Sequence, residues 1–309
     1  MKDMTKPRKG NYILLDIKRN KYIYIMLLVV VAWYVIFCYV PMYGAIIAFK
    51  DYSIGKGIFN SPWVGFKHFA SFFSDINFMR VVRNTFLINI YDILWGFPAP
   101  IIMALLLNEV RNQYFKKTIQ TLSYLPYFIS MVVVCGIIVD FTSTNGIINQ
   151  LLSNFGFEKV NLLSKSEFFR TVYISSGIWK NVGWGSIIYL AALTNISPEL
   201  YESAVIDGAG RWKQLIHITL PGIASTIIVL LILRMGSIMS VGFEKIILLY
   251  NPLTYETADV IASYVYRKGL LNADYSYSTA IGLMNSVINF LFLVVSNWLS
   301  RRYTESSLW

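Results

Sequence analysis

One short segment between two long apolar runs combines carboxylates with small residues. The carboxylates belong to Glu202 and Asp207. Small residues and one proline complete the set: Ser203, Ala204, Gly208, Ala209 and Pro221. Exposed carboxylates beside a turn of small residues suit contact with another protein. We therefore expect residues 197–221 to form a docking element.

Local signals predict how this segment folds. Ser197 is a suitable N-cap and Pro198 a suitable first helical residue, so a short helix should run to about Ile206. Asp207-Gly208 should end it. A second amphipathic helix should follow, and Leu220-Pro221 should lead the chain into the next apolar run. One face of that helix is expected to carry Trp212, Leu215, Ile216 and Thr219.

Several charged residues lie inside apolar runs, where an unpaired charge costs a few kcal/mol. They are Asp92, Lys180, Arg234 and Glu244. Asp92 and Arg234 are expected either to form a buried pair or to line a polar pathway. Further pathway candidates are Asn181, Trp184, Tyr189, Asn285 and Asn289.

Common catalytic and metal-binding patterns do not occur in the sequence. It has no G-x-x-x-x-G-K-[ST], and the nearest string, Gly55-Lys56-Gly57, lacks the spacing and the hydroxyl residue. H-E-x-x-H and G-x-S-x-G are also absent. His68 and His217 are isolated from each other and from ligand-spaced Cys or carboxylates. We expect no metal, no cofactor and no catalytic site in this chain.

Composition favours a membrane protein over a soluble one. Of 309 residues, 56% are hydrophobic and 14% charged, whereas soluble domains have about 25% charged residues. The net charge is +10, but the basic residues flank apolar runs instead of forming a basic face, which argues against nucleic acid. Cys38 and Cys135 lie inside apolar runs, so no disulfide is expected.

Six apolar runs have about the length that a bilayer requires. We expect an all-α integral membrane protein whose six transmembrane helices cover about 22–49, 85–107, 118–139, 171–196, 222–249 and 275–299. Prolines at positions 98, 100 and 126 should interrupt the second and third helices. No cleavage site stands out after the first run, so we keep it as a span.

Basic residues predict the orientation. With the N-terminus inside, 14 of the 27 Lys and Arg residues fall in short inner segments, as the positive-inside rule requires. The sequence thus divides into a basic cytoplasmic N-terminus (1–21), a transmembrane domain (22–300) that includes the cytoplasmic loop 197–221, and a cytoplasmic tail (301–309).

The loop resembles the permease signature of binding-protein-dependent ABC importers. That signature has Glu, two small residues, a Gly four positions on, and Ile-x-Leu-Pro ten positions beyond. Here it is matched by Glu202, Ser203, Ala204, Gly208, Ile218, Leu220 and Pro221. Ser203 departs from the usual Ala. By this resemblance the short helix is a coupling helix that sits in a cleft of the ATPase, with Glu202 pairing a basic residue there.

Longer stretches resemble sugar permeases of the maltose-permease type. They include PMYGAIIAFKDY from Pro41, SPWVGFKHF from Ser61, GFEKIILLYNP from Gly242 and YVYRKGL from Tyr264. The resemblance extends to the subgroup that imports plant polysaccharide fragments such as aldouronate or rhamnogalacturonan oligosaccharides, usually in Gram-positive bacteria. An outer gate or binding-protein dock is then expected at Asn251, Pro252, Tyr264, Tyr266 and Arg267.

The resemblance implies partners that this chain lacks. It predicts a second, related permease, a cytoplasmic ATPase dimer that holds ATP and Mg²⁺, and an external lipoprotein-type binding protein that delivers oligosaccharide. A homodimeric permease stays possible. An ion-coupled secondary transporter is the alternative, with Asp92 or Glu244 as proton carrier, although we find no internal repeat of the kind common in that class.

Overall fold

Long apolar runs dictate a helical architecture, because a backbone surrounded by lipid must satisfy its own hydrogen bonds. The structure is a computed structural model, and it describes residues 15–303 and 307–308. Most of the predicted basic N-terminus and part of the predicted tail lie outside the described residues. Within the described residues the chain is helical, with one isolated β-bridge between Lys50 and Trp63.

Twelve helices organise the described part of the chain. In order, they are α1 (Lys21–Phe49), α2 (Lys67–Phe73), α3 (Phe78–Glu109), α4 (Gln113–Phe128), α5 (Met131–Thr142), α6 (Ile147–Ser153), α7 (Ser166–Leu193), α8 (Pro198–Ile206), α9 (Arg211–Met235), α10 (Phe243–Leu249), α11 (Ile261–Tyr266) and α12 (Tyr275–Tyr303). Single turns join them at Gly57–Asn60, Leu162–Ser164, Pro252–Thr254, Tyr255–Ala258 and Arg267–Leu271.

Five helical runs are long and apolar enough to cross a membrane, judged by length and composition within the described residues: Lys21–Phe49, Phe78–Glu109, Met131–Ser153, Arg211–Met235 and Tyr275–Arg302. The predicted fourth span corresponds to α7, a helix of 28 residues that is not among the five. Polar residues such as Lys180 and Asn181 lower its hydropathy. Because α7 packs against α3, α4 and α9, it has less need of an apolar surface.

The structure corrects two predicted span boundaries. The run predicted over 118–139 is divided into α4 and α5, because Ile129 is extended and Ser130 starts a new helix by accepting a hydrogen bond from the Val133 N–H. The run predicted over 222–249 ends as a helix at Met235. A segment with glycines at 236 and 242 separates it from α10.

Prolines widen three helices instead of interrupting them. In α3 a π-helical turn covers Asp92–Gly96, and the Phe97 N–H bonds to the Asp92 carbonyl at 2.8 Å, just before Pro98. Proline lacks an N–H and crowds the carbonyl four residues earlier, and a wider turn relieves both problems. The same arrangement precedes Pro41 in α1 and Pro221 in α9. The predicted interruption of the second span was therefore wrong.

The helices alternate between two ends of the bundle. At one end Arg211 and Glu109 approach to 3.7 Å, which places the start of α9 beside the end of α3. We call this the loop end, because residues 194–210 lie there. At the other, the far end, the Arg170 guanidinium donates to the Asn84 side chain at 2.8 Å, so the starts of α7 and α3 meet.

Candidate functional site

A cavity of about 630 Å³ lies among α3, α7 and α9. Four predicted pathway residues line it: Asp92, Asn181, Tyr189 and Arg234. Glycines at 96, 177 and 185 also line it. The cavity therefore brings together four of the nine predicted pathway residues.

Asp92 and Arg234 form an ion pair that is only partly buried. The Arg234 guanidinium donates to the Asp92 carboxylate and forms an ion pair with it. Both residues also line the cavity. The Asp92 side chain is 29% exposed and the Arg234 side chain is 39% exposed. The charges thus neutralise each other without leaving the cavity surface.

A second cavity of about 330 Å³ shares Asp92, Asn181 and Arg234 with the first. Glu244 lines it from the first turn of α10 and is exposed, instead of lying within a continuous span as predicted. Lys245 also lines it, and sequence reasoning missed this residue. A lysine next to Glu244 inside a predicted span was a usable signal.

Lys245 is held in place by one residue of α7. Its ammonium donates to the Tyr173 carbonyl at 2.6 Å and lies 4.3 Å from the centre of the Tyr173 ring. Only 6% of Lys245 is exposed. A buried ammonium of this kind needs such oxygen and π-electron contacts, because burial removes its water.

Lys180 and Trp184 do not line the central cavity. The Lys180 ammonium donates to the carbonyls of Pro126, Tyr127 and Ile129 at 3.1, 3.2 and 2.6 Å. It thereby caps the end of α4 at the break before α5. Trp184 stacks on Tyr127, with 4.6 Å between ring centres.

Asn285 and Asn289 lie on α12, apart from the central cavity. The Asn289 side chain accepts a hydrogen bond from the Met239 N–H at 2.8 Å and donates to the Ser240 hydroxyl at 2.9 Å. It therefore fixes the segment that follows α9. The side-chain amide oxygen of Asn285 is buried without a hydrogen-bond partner among the described residues.

The predicted docking loop has the predicted backbone. Helix α8 begins at Pro198 and ends at Ile206, and Gly208 has a φ of +73°. The turn is closed by the Ala209 N–H, which bonds to the Ala204 carbonyl at 2.8 Å. Glycine adopts this left-handed conformation without the steric cost that a Cβ atom adds.

The loop presents its carboxylates to the surroundings. Glu202, Ser203, Asp207 and Gly208 are exposed, while Ala204 and Ala209 are half-buried. Apolar side chains are exposed beside them, including Val205 and Ile206. Together they form a surface that combines negative charge with exposed apolar side chains.

The predicted second amphipathic helix needs correction. Instead of a separate helix before Pro221, residues from Arg211 onward run without a break into the membrane helix. Trp212 and Ile216 are exposed, whereas Thr219 is buried. The hydroxyl groups of Thr219 and Tyr201 form a hydrogen bond of 3.0 Å. The π-helical turn Leu215–Thr219 shifts the angular register, so the predicted residues do not share one face.

At the far end, a buried carboxylate organises two arginines. Asp259 is 0% exposed and accepts hydrogen bonds from Arg267 at 2.7 and 2.8 Å and from Arg80 at 3.2 Å. Burial by itself lowers the pKa of Arg267, but the hydrogen bonds that Arg267 donates to the Asp259 carboxylate outweigh this effect, so the pKa of Arg267 is raised. Sequence reasoning selected Arg267 and missed the other two, because charges in a loop give no sign of burial.

Tyr264 belongs to a second buried cluster at the far end. It is 3% exposed, and its hydroxyl donates to the Asp75 carboxylate at 2.5 Å. Burial and this contact raise the pKa of Tyr264 to about 12. Burial tends to raise the pKa of Asp75, but the hydrogen bonds from Tyr264 and Asn77 lower it overall.

The remaining three far-end candidates differ in accessibility. Asn251 donates to the Leu163 carbonyl at 2.8 Å and accepts from the Leu253 N–H at 2.9 Å. Pro252 is exposed. Tyr266 is half-buried, 5.1 Å from the Phe243 ring between centres, and lines a surface cavity of about 480 Å³.

Comparisons with known proteins agree with one another. Residues 96–305 match the family described as binding-protein-dependent transport system inner membrane component. The chain is 44% identical to protein LplB of Bacillus subtilis over 301 residues, which cover 97% of this chain and 95% of that protein. It is 43% identical to the polygalacturonan/rhamnogalacturonan transport system permease protein YteP of the same organism over 305 residues, 98% of this chain and 95% of that protein.

Solved structures similar to this chain also belong to bacterial ABC transporters. The chain superposes with a TM-score of 0.88 and 47% identity on a bacterial ABC transporter involved in the import of the acidic polysaccharide alginate, covering 95% of this chain and 99% of that one. A second structure shows a bacterial alginate ABC transporter in complex with an alginate pentasaccharide-bound periplasmic protein. Its chain also gives a TM-score of 0.88 at 47% identity, with 95% and 98% covered.

Proposed function

Since this chain belongs to the family of binding-protein-dependent transport system inner membrane components, we propose that it is the permease of an ATP-driven importer for oligosaccharides derived from acidic polysaccharides. Rhamnogalacturonan and aldouronate fragments are the substrate class we favour. The chain is a membrane permease subunit and not an enzyme. The importer's ATP hydrolysis belongs to a separate polypeptide, and nothing in the comparisons favours the ion-coupled alternative.

The observation that carries this proposal is the docking loop. It exposes Glu202 and Asp207 beside a turn that depends on Gly208. We assign Glu202 to an ion pair with a basic ATPase residue, with the small residues letting α8 enter a cleft. Movement of the ATPase would then be passed to α9, which is continuous with the loop's second half.

The central cavity is our candidate for the substrate path. Asp92, Asn181, Tyr189 and Arg234 line it and offer hydrogen-bonding groups for sugar hydroxyls. Glu244 extends this polar lining toward the far end. We place the path between this chain and a second, related permease.

At the far end we divide the predicted dock into two groups. Pro252 and Tyr266 have accessible surface and are our candidates for contact with an external lipoprotein-type binding protein. The other three, Asn251, Tyr264 and Arg267, point their polar groups at neighbours in this chain, so we assign them to holding the outer segment in shape. The loop end is then cytoplasmic, with both termini, in the membrane of a bacterium that we propose to be Gram-positive.

One experiment tests the coupling role. The complete complex, with second permease and ATPase, is reconstituted in nanodiscs, and ATP hydrolysis is measured with the binding protein and a panel of pectin and xylan oligosaccharides. Stimulation should be seen with one class of oligosaccharide. It should disappear in Glu202→Lys, because the charge reversal repels the proposed basic partner.

The matched control is Glu199→Lys, which reverses an exposed carboxylate in the first turn of the same helix. It should keep most of the stimulation, because Glu199 lies outside the motif. Equal loss in both variants would show a general effect of charge on the loop. If no ATPase copurifies and Glu202→Lys transports sugar normally, the importer proposal fails.

A further inference from the structure

Another cavity, of about 450 Å³, lies between α3 and α7 on the far-end side of the central one. Tyr91, Trp95 and Arg170 line it, with Glu167 and Thr171. Ile178 lines both this cavity and the central one, so the two meet at that residue. The result is a groove along α7 that leads from the far end toward the proposed path.

Arg170 lies in this groove without a carboxylate partner. Its guanidinium donates to the Asn84 side-chain oxygen at 2.8 Å. Asn84 is 0% exposed and is itself fixed, because it donates to the carbonyls of Glu256 and Asp259 at 2.9 and 3.0 Å. Arg170 forms no ion pair within residues 15–303, and its Nε is buried without a hydrogen-bond acceptor there. Its positive charge is therefore held in position and not neutralised by direct contact.

Two aromatic rings line the same cavity from α3. Tyr91 and Trp95 are one turn apart and so lie on one side of the helix. They are 37% and 66% exposed, respectively. An exposed aromatic surface combined with a fixed arginine and the Thr171 hydroxyl is the set of groups that a charged sugar requires: an apolar face for the ring, a cation for the carboxylate and a polar group for hydroxyls.

We propose that this cavity is an outer subsite of the transport path that binds a uronate residue of the oligosaccharide. Arg170 pairs with the carboxylate, and Trp95 and Tyr91 contact the sugar ring. Glu167, exposed one turn before Arg170, repels a carboxylate at the rim and so directs it toward the arginine. The inference rests on the proposed function and adds to it the residues that select for charge.

The length of the groove fits an elongated substrate. Arg170 and Asn181 lie on the same helix, and the rise per residue of an α-helix separates them by about 16 Å along its axis. An oligosaccharide can then occupy this subsite and the central cavity together. A lipid phosphate offers the same negative charge as a uronate, so the test must separate these two ligands.

The test compares uptake of a uronate oligosaccharide with uptake of its carboxyl-reduced, neutral form, by the complete complex in proteoliposomes. Arg170→Gln should lower uptake of the charged sugar about tenfold relative to the neutral one, as expected for loss of a charge-assisted hydrogen bond. Arg170→Lys should retain part of the preference. Arg111→Gln, which removes an exposed arginine just beyond the end of α3 and outside the cavity lining, should change the uptake of neither sugar.

A second variant keeps the proposal testable if Arg170→Gln fails to assemble. Trp95→Ala should lower uptake of both sugars, because ring contact does not depend on charge, whereas Trp179→Ala on another face of α7 should not. Normal uptake of both sugars in Trp95→Ala would overturn the subsite. So would an Arg170→Gln effect that vanishes when anionic lipid is omitted, because the ligand would then be lipid. Absence of oligosaccharide uptake by the wild-type complex would instead overturn the proposed function.

Discussion

Asp92 and Arg234 form an ion pair across the central cavity, although 142 residues separate them in the sequence. Asp92 begins the π-helical turn of α3, and Arg234 lies in the last turn of α9. A change in the distance between these two helices therefore acts directly on the pair. The pair thus connects α3, which lines the proposed path, to α9, which continues from the docking loop.

We expect this pair to be energetically coupled. Asp92→Asn and Arg234→Gln should each lower the thermal stability of the purified complex, because each leaves one charge without its partner in a membrane protein interior. The double variant should lose less than the sum of the two, with an interaction energy of about 0.5–3 kcal/mol. Asp140→Asn, which changes an exposed carboxylate of α5, is the control. Strict additivity would contradict the coupling.

Some of this site was readable from the sequence because its chemistry is local. A charge in an apolar run must find a partner or water, so Asp92 and Arg234 could be singled out before any contact was known. The loop turn could also be predicted, since Gly208 follows a short helix and the signature fixes the spacing. Both predictions depend on residue type and on near neighbours.

The features that could not be predicted depend on distant contacts. Lys180 was selected as a pathway residue, yet its ammonium binds carbonyls more than 50 residues earlier in the chain. Asp259 looked like an ordinary loop carboxylate, and its burial follows from the packing of α3 and α11 around it. The π-helical turn at Asp92 also could not be predicted, because the sequence does not show whether Pro98 ends the helix or is accommodated by a wider turn.

Gly208→Ala should weaken the stimulation of ATP hydrolysis by substrate. The backbone φ of +73° is unfavourable for alanine, at a cost of about 1–2 kcal/mol, so the turn after α8 should shift. No other atom lies within 4 Å of the added Cβ, so the effect is conformational and not a clash. Gly210→Ala is the matched control, because its φ is −70° and its Cβ position is also free. Substrate-stimulated ATPase activity should fall in the first variant and persist in the second.

Lys180→Met should destabilise the junction between α4 and α5. The ammonium satisfies three carbonyls at the end of α4, and methionine of similar length leaves them without it. A buried acceptor left unpaired costs about 1–3 kcal/mol. Faster amide exchange measured by mass spectrometry should be confined to residues near 126–133. Lys159→Met, at an exposed position, is the control and should leave amide exchange near 126–133 unchanged. Unchanged exchange in Lys180→Met would show that the three hydrogen bonds of Lys180 do not stabilise the junction.

Asp259→Asn should have the largest effect on stability among these changes. The carboxylate is completely buried and contacts Arg80 and Arg267, so its loss leaves two partly buried guanidinium groups without a counter-charge. Removing one partner of a buried ion pair costs about 3–5 kcal/mol. Glu256→Gln is the control, because it neutralises an exposed carboxylate in the same segment. We expect a clear fall in the melting temperature of the complex for the first variant and little change for the second.

Adding Arg80→Gln to Asp259→Asn should recover part of the lost stability, because one of the two unpaired charges is then gone. A further fall in the melting temperature would show that Arg80 stabilises the far end through other contacts.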